Sequence, residues 1–442
     1  MRTGGKGKLL ILIAALISLA VSSCGKQSSR SSIAPAATVP VARSLPPLPA
    51  RPLSPELRAM RDRAMRESSG LRGLSFSGEV GMTELSGWEY GKRTTEMADV
   101  LGGEEMRAFG RLAAAGGVLP EGTDLATLAG SFAAVSAAAT YSPLDKQVLL
   151  VDKTADRYLL AHEFTHALQD QHFDLMKLLV VRPYDLDRME ALFAVIEGDA
   201  MNVQRRLEEG DAYGRKSLEE ITRQERERFQ VYRKEAGQLF PPLLIETFSF
   251  RYRDGARFVE EARRKDGERG VNELYSRTPL SSEQILHPEK YFQNERPRQV
   301  GLDEAAFVSS GWRLVTSTPL GEIGARGILM AGINEREATR AAAGWGGDRA
   351  FLFEREGALP LFVWKTTWDS GRDAEEFFRS YNDAEKLRAG TRQAGSLTEG
   401  DAAQTLWRAA GRLVIIRREG DTVIIVRAAE QDAGTALELA RR

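Results

Sequence analysis

Charged and apolar residues alternate with the period of a helix through most of the chain between Ser54 and Val300. The charged periodic runs occupy residues 56–67, 155–175, 187–209, 217–238 and 255–266. Apolar positions that recur every three or four residues predict helices with one buried face. A short apolar run over residues 146–151 predicts a strand just before the helix that begins near Thr154. This region is therefore predicted to be mainly helical, with a small sheet.

The pattern changes after Leu302, where short runs of β-branched and aromatic residues replace the long amphipathic ones. Strands are predicted at residues 350–353, 361–364, 413–416 and 422–426, and helices at 373–387 and 433–439. The last two strands are separated by Glu419-Gly420-Asp421, which predicts a hairpin. The fold class is therefore α+β, with a mainly helical domain over residues 55–300 and an α+β domain with an antiparallel sheet over residues 301–442.

Five of the six tryptophans lie in this C-terminal part: Trp312, Trp345, Trp364, Trp368 and Trp407. If they were exposed together, they would suit a glycan-binding face. If they were buried, they would fill the core between the sheet and its helices. We expect the second role.

The N-terminus has the pattern of an export signal. Residues 1–8 carry three bases and no acid, and Leu9 to Val21 is an apolar run of 13 residues interrupted by one serine. That run is shorter than the ~20 residues a membrane-spanning helix needs, so it fits a secretory signal. The sequence Val21-Ser22-Ser23-Cys24-Gly25 resembles the lipobox of bacterial lipoproteins. The resemblance implies a signal peptide over residues 1–23, a lipid anchor to a membrane at Cys24 and a place in the bacterial cell envelope.

The segment over residues 24–54 is rich in proline and serine, which predicts an extended tether. Lysine plus arginine number 61 and aspartate plus glutamate 62, so charge gives no reason to expect a nucleic-acid partner. One cysteine excludes an intrachain disulfide and a cysteine-rich zinc module. Four histidines remain, and two of them lie in one motif.

That motif is Ala161-His162-Glu163-Phe164-Thr165-His166-Ala167, which has the form H-E-x-x-H. Four residues of a helix advance by about 400°, so His162 and His166 point the same way, about 6 Å apart along the axis. Two imidazoles so placed can bind zinc. Glu163 is rotated by ~100° and can take a proton from a water at the metal.

A catalytic zinc usually has three protein ligands. The other histidines are His172 and His287, so a carboxylate is a reasonable third ligand. The next helix is apolar except for Glu190, Glu197 and Asp199, and a carboxylate on an apolar face needs a partner. From the residues alone, Glu190, Glu197 and His172 all stay open as the third ligand.

The pattern resembles the gluzincin metallopeptidases, whose third ligand is a glutamate on the helix after H-E-x-x-H. A wider similarity over about residues 70–380, to a family of uncharacterised bacterial exported metallopeptidases, is carried by residues 161–174, 197–200 and 282–291. The resemblance implies a zincin fold, zinc as cofactor and Glu197 as the third ligand. It also implies that Asp199 accepts a hydrogen bond from a ligand imidazole.

Gluzincins often hydrogen-bond the oxyanion with a distant histidine or tyrosine, which makes His287 a candidate catalytic residue, ahead of Tyr252 and Tyr291. By the same analogy, strand 146–151 would be the sheet edge that aligns an extended peptide. Asp170 lies four residues after His166 on the same helical line. It either orients His166 or faces solvent.

The sequence therefore predicts an envelope lipoprotein that hydrolyses peptide bonds in a peptide or protein substrate. His162, His166 and Glu197 would bind zinc, and Glu163 would act as general base and then as acid. The alternative is a non-catalytic zinc-containing envelope lipoprotein that binds peptidoglycan or a protein partner.

Overall fold

The computed structural model describes residues 45–442 except 137, 152–155, 180–184, 389–390 and 410. The signal segment, Cys24 and most of the tether lie outside the described residues. Within the described part of the chain, no helix is both long and apolar enough to cross a membrane. The predicted α+β class is confirmed, with 57% helix and 18% strand.

The first part of the chain is mainly helical and contains one small sheet. Its elements are α1 (Pro55–Arg72), β1 (Gly81–Leu85), α2 (Gly87–Ala115), α3 (Leu125–Ser136), β2 (Ala139–Ser142), β3 (Gln147–Val151), α4 (Arg157–Phe173), α5 (Leu175–Leu179), α6 (Leu186–Glu209), α7 (Asp211–Gly214), α8 (Leu218–Ala236), α9 (Pro242–Ser276), α10 (Ser282–Leu286), α11 (Pro288–Phe292) and α12 (Glu304–Ser309).

The second part is built on an antiparallel sheet of seven strands in the order β4-β5-β6-β10-β9-β8-β7. Its elements are β4 (Arg313–Thr318), α13 (Gly321–Leu329), α14 (Glu335–Ala342), β5 (Trp345–Glu354), β6 (Leu361–Trp368), α15 (Gly371–Leu387), β7 (Arg392–Glu399), β8 (Ala402–Ala409), β9 (Arg412–Glu419), β10 (Thr422–Ala428) and α16 (Glu430–Arg441). All four predicted strands and both predicted helices are present. The predicted hairpin is β9–β10, closed at the Thr422–Glu419 pair.

Helix α4 is the centre of the helical part. Every residue from Leu159 to Asp170 is buried, so this helix is covered on all sides rather than along one stripe. It begins at Asp156, whose side chain accepts hydrogen bonds from the backbone of Tyr158 and Leu159 and so satisfies two donors of the first turn. Helices α1 and α6 and strand β2 pack against it.

Two glycines let α6 and α9 touch backbone to backbone. A Cβ on Gly198 would lie 2.3 Å from the carbonyl of Gly255, and a Cβ on Gly255 would lie 2.1 Å from the carbonyl oxygen of Ala194. Real Cβ atoms do not approach so closely, so only glycine allows this crossing. The crossing brings Glu197, one residue before Gly198, against Tyr252 on α9.

The seven-stranded sheet has a core on each face. Helices α13 to α15 and the end of α2 cover one face, and α12 and α16 cover the other. The five C-terminal tryptophans are at most 5% exposed, which confirms the core role and excludes the glycan-binding face. Because Leu112 and Ala115 of α2 lie in the same cluster as Trp345 and Trp364, the helical part packs directly on the sheet.

The small sheet differs from the prediction in one respect that matters for the site. Its strand order is β1-β3-β2, so the predicted strand, β3, is the central one and not the edge. β1 pairs with it in parallel and β2 in antiparallel. The edge beside α4 is β2, whose four residues are all buried. The run over residues 146–151 is apolar because a central strand is covered on both faces.

Candidate metal centre

His162, His166 and Glu197 converge in the interior of the helical part. His162 and His166 lie one turn apart on α4, and Glu197 faces them from α6. The Nε2 atoms of His162 and His166 are 3.2 Å and 3.4 Å from the same oxygen of Glu197, Oε2. One potential ligand atom from each residue lies within 4.8 Å of the others. The three side chains can therefore reach a common ion.

Several polar atoms of this cluster are buried and have no hydrogen-bond partner among the described residues. They are His162 Nδ1, His166 Nε2, Glu197 Oε1 and Glu163 Oε1. Leaving a buried polar atom unsatisfied costs roughly 1–3 kcal/mol each, so such atoms seldom gather without a purpose. Two imidazoles and a carboxylate are a donor set that zinc uses in proteins. The residues present therefore fit the ion that the sequence pattern implies.

Burial and charge shape the protonation of the cluster. Burial alone would raise the pKa of Glu197, but the charge of His166 and the hydrogen bond from His162 lower it to about 2. Burial lowers the pKa of His162 to about 4. Burial alone would lower the pKa of His166, but the negative charge of Glu197 outweighs burial and raises that pKa to about 9. Glu197 is thus the anion around which the cluster is organised.

Glu163 lies beside the three ligand candidates and is held by one oxygen only. The backbone N–H of Tyr141, on edge strand β2, donates to Glu163 Oε2 at 2.5 Å. Burial raises the pKa of this carboxyl to about 8, while the charge of His166 opposes that shift. Because Oε2 is fixed and Oε1 is free, Glu163 has one oxygen in position to exchange a proton.

A relay of side chains holds His166. Its Nδ1 is 2.9 Å from Gln169 Oε1, and the amide of Gln169 donates to Asp199 and to the carbonyl of Ile196. Since the amide nitrogen of Gln169 is the donor, its oxygen accepts, and Nδ1 of His166 carries the proton. The lone pair of the neutral ring is then on Nε2, the atom that faces Glu197.

Asp199 was predicted to accept a hydrogen bond from a ligand imidazole. It accepts one from Gln169 instead, and Gln169 contacts His166. The carboxylate of Asp199 accepts hydrogen bonds from the side-chain amide of Gln169 and from the hydroxyl of Tyr275. It also forms an ion pair with Arg72, whose Nε is 2.8 Å away. Arg72 is 1% exposed and connects the end of α1 to the centre. The i+3 spacing of Gln169 from His166 could have suggested this contact. Nothing in the sequence signals Arg72, which is 127 residues from Asp199.

Asp170 does neither of the two things considered for it. It is buried, and it accepts hydrogen bonds from Tyr141 Oη and Lys146 Nζ, both at 2.7 Å. No described contact joins it to His166. Asp170 instead ties α4 to the turn between β2 and β3, which fixes the strand that holds Glu163.

The rivals for the third ligand are engaged elsewhere. Glu190 accepts two 2.7 Å hydrogen bonds from Arg251, one on each carboxylate oxygen. This bidentate pair already neutralises the carboxylate without a metal ion. His172 hydrogen-bonds the carbonyl of Ser75 at 2.8 Å near the surface. Of the carboxylates weighed from the sequence, the geometry favours Glu197.

The described contacts of His287 do not join it to the metal ligands or to Glu163. It lies between α10 and α11, and its Nε2 is 3.1 Å from Glu322. Tyr291 donates its hydroxyl to the carbonyl of Arg277. Tyr252 is the tyrosine that lies at the centre, since its ring stacks on His162 at 6.3 Å between centroids and its hydroxyl bonds Glu197. The sequence reasoning ranked Tyr252 behind His287 because it could not show that α9 brings Tyr252 next to His162 and Glu197.

A small apolar cavity of about 40 Å³ lies next to His166. Its lining is shared by the edge strand, α5 and α6: Tyr141, Pro143, Leu175, Leu179, Phe193 and Ile196. His162, Glu163 and Glu197 have no exposed surface, whereas His166 is 3% exposed. In the described part of the chain, the small exposed surface of the centre is thus that of His166, on the side of this cavity.

A comparison with protein-family models finds a match in the C-terminal part of the chain. A family model described as "Domain of unknown function (DUF8575)" matches residues 308–438, which run from the end of α12 into α16. Compared with curated proteins and with solved structures, the chain has no match. The match contains the seven-stranded sheet and none of the residues of the candidate metal centre.

Proposed function

We propose that this protein is a zinc-dependent peptidase of the bacterial cell envelope. The observation that carries the proposal is the buried convergence of His162, His166 and Glu197 with Glu163 beside them. Two histidines and a glutamate that can bind a metal, with a second glutamate beside them, are the kind of residues that form the sites of metal-dependent hydrolases. Anchoring at Cys24 remains part of the proposal and rests on the sequence of the signal segment.

The protein's own residues have separable roles in this proposal. His162, His166 and Glu197 would hold the ion, and Gln169 would orient the ring of His166 so that Nε2 is the nitrogen that binds it. A bound zinc would supply a Lewis acid and a water acidic enough to ionise near neutral pH. Glu163 Oε1 would take the proton of that water and later give it to the leaving amine, while Tyr141 keeps the carboxylate in place.

Edge strand β2 can position a substrate only in part. Its Tyr141 N–H already donates to Glu163, so that donor is not available to an extended peptide. The cavity beside His166 provides apolar contact instead. The proposal therefore relies on side-chain contacts near the centre more than on strand addition.

The test is hydrolysis of a quenched fluorescent peptide library by the full-length chain and by Glu163→Gln. The isosteric change keeps the ligands and removes the group that moves the proton. We expect Glu163→Gln to keep its zinc and to lose at least 100-fold in rate, the lower end of the range for a general base. Full activity in the variant would contradict the mechanism.

The matched control is His172→Asn, which removes an exposed histidine of the same helix whose described hydrogen bond is to the loop carbonyl of Ser75. It should retain wild-type activity. If the wild type binds zinc but cleaves nothing in the library, the non-catalytic envelope lipoprotein becomes the better account.

A further inference from the structure

A polar cavity lies between the helical part and the seven-stranded sheet, away from the metal centre. Its volume is about 370 Å³, far more than one water molecule needs. The walls come from the start of α6, from the segment over residues 296–300 and from β5. Junctions between folded parts of a chain are common places for small-molecule sites.

Three arginines on these walls have no carboxylate within ion-pair distance among the described residues. Arg188 and Arg349 are half-buried, and their hydrogen bonds, at 3.4 Å, are to the hydroxyls of Thr278 and Ser317. Their charges also act on Asp185 of the same wall, at longer range. Arg296 is exposed and has no described polar contact. This is unusual in a chain whose other arginines are mostly paired with carboxylates, and it leaves three guanidinium groups available around one space.

A fourth donor in the wall is buried and unsatisfied. Trp345 lines the cavity and is 1% exposed, and its indole N–H has no acceptor in the described part of the chain. Indole nitrogen can only donate. An acceptor inside the cavity would relieve the cost of this unmet hydrogen bond.

The carboxylates of the same walls are already occupied. Asp348 accepts from the backbone of Leu320 and Gly321 and from the indole of Trp364. Asp187 accepts from the backbone of Ser282. Burial raises the pKa of Asp187 well above its usual range and that of Asp348 to about 6, so their negative charge is weakened.

Asp185 likewise caps α6 by accepting from the backbone of Arg188, and burial raises its pKa. The free hydrogen-bonding capacity of the cavity is thus that of donors. From the arginines, the unmatched indole and the volume together, we infer that this cavity binds a small organic ligand through its oxyanion groups, either carboxylate or phosphate. This inference does not depend on the proposed function.

The test is isothermal titration calorimetry of the full-length, chelator-treated chain with two probes, inorganic phosphate and the tricarboxylate tricarballylate, at one fixed ionic strength. Chelation prevents the probe from binding at a metal. The test variant is Arg296→Gln/Arg349→Gln. The control is Arg336→Gln/Arg372→Gln, which removes two exposed arginines that have no described ion pair and lie outside the cavity.

We expect one probe or both to bind with one site per chain, and the test variant to weaken that binding at least tenfold. The control should stay within twofold of the wild type. Binding of phosphate alone or of tricarballylate alone would identify which oxyanion the site takes. If the double variant does not fold, Arg296→Gln by itself, at an exposed position, must still weaken binding.

Two results would overturn the inference. One is the absence of binding by either probe at millimolar concentrations. The other is equal weakening by the test and control variants, which would mean general attraction to a basic surface and not a site.

Discussion

Replacing Glu163 by glutamine should change how the stability of the metal-free protein depends on pH. Burial raises the pKa of Glu163 from 4.5 to about 8, and the charge of Glu197 raises that of His166 from 6.5 to about 9. Between pH 6.5 and 8 the folded protein therefore holds two protons that the unfolded chain has largely released. Because the folded state binds more protons, stability must fall as pH rises through this window.

The magnitude follows from the two shifts. Each pKa unit corresponds to about 1.4 kcal/mol, so 1.5 pH units cost roughly 2 kcal/mol for each group. The wild type should lose roughly 4 kcal/mol of unfolding free energy between pH 6.5 and 8, and Glu163→Gln roughly 2 kcal/mol. In the folded state His162 and Glu197 titrate at about pH 4 and 2, so they contribute little in this range.

The assay is urea unfolding of the chelator-treated full-length chain at the two pH values, with His172→Asn as the control. Each curve gives the free energy of unfolding by linear extrapolation. Equal pH dependence in the wild type and Glu163→Gln would refute the assignment of a buried proton to Glu163. Wild-type stability that is constant across the window would refute the electrostatic account of the whole centre.

Three further predictions concern the surroundings of the centre. Gln169→Leu, which frees His166 Nδ1, should weaken zinc binding 10- to 100-fold in competition with a chromophoric chelator, whereas Asp170→Asn should not; equal effects would exclude the relay. Arg251→Met leaves Glu190 buried and unpaired, so urea unfolding should show a loss of about 3–5 kcal/mol; a loss below 1 kcal/mol would show that the pair is not buried in solution. Gly198→Ala forces a methyl group into the α9 backbone and should cost about 1–3 kcal/mol and weaken zinc binding, and an unchanged protein would mean that the helices do not touch there.

Much of the centre was predictable because its signals are local. Two histidines four residues apart on a helix must share a face, so His162 and His166 were assigned from spacing alone. The buried strand before α4 is an equally local feature. Four of the seven strands of the C-terminal sheet were predicted from short apolar runs, and β4, β7 and β8 were not.

The contacts that were not predicted join residues distant in sequence. Arg72 reaches Asp199 across 127 residues, and Tyr252 reaches the centre only because α6 and α9 cross at two glycines. The central place of β3 depends on its pairing with β1, whose paired residues lie 66 positions earlier in the chain. Helix α2 was not among the predicted elements, and the packing of Leu112 and Ala115 at its end against the sheet joins segments far apart in the sequence.

The most direct test of the account is the zinc content of the full-length chain, measured by elemental analysis after purification without chelator. We predict one zinc per chain in the wild type and in His172→Asn, and a loss in His166→Asn and in Glu197→Gln. A folded wild type that takes up no zinc when the metal is supplied, or an equal loss in His172→Asn, would contradict the claim that His162, His166 and Glu197 form a metal centre.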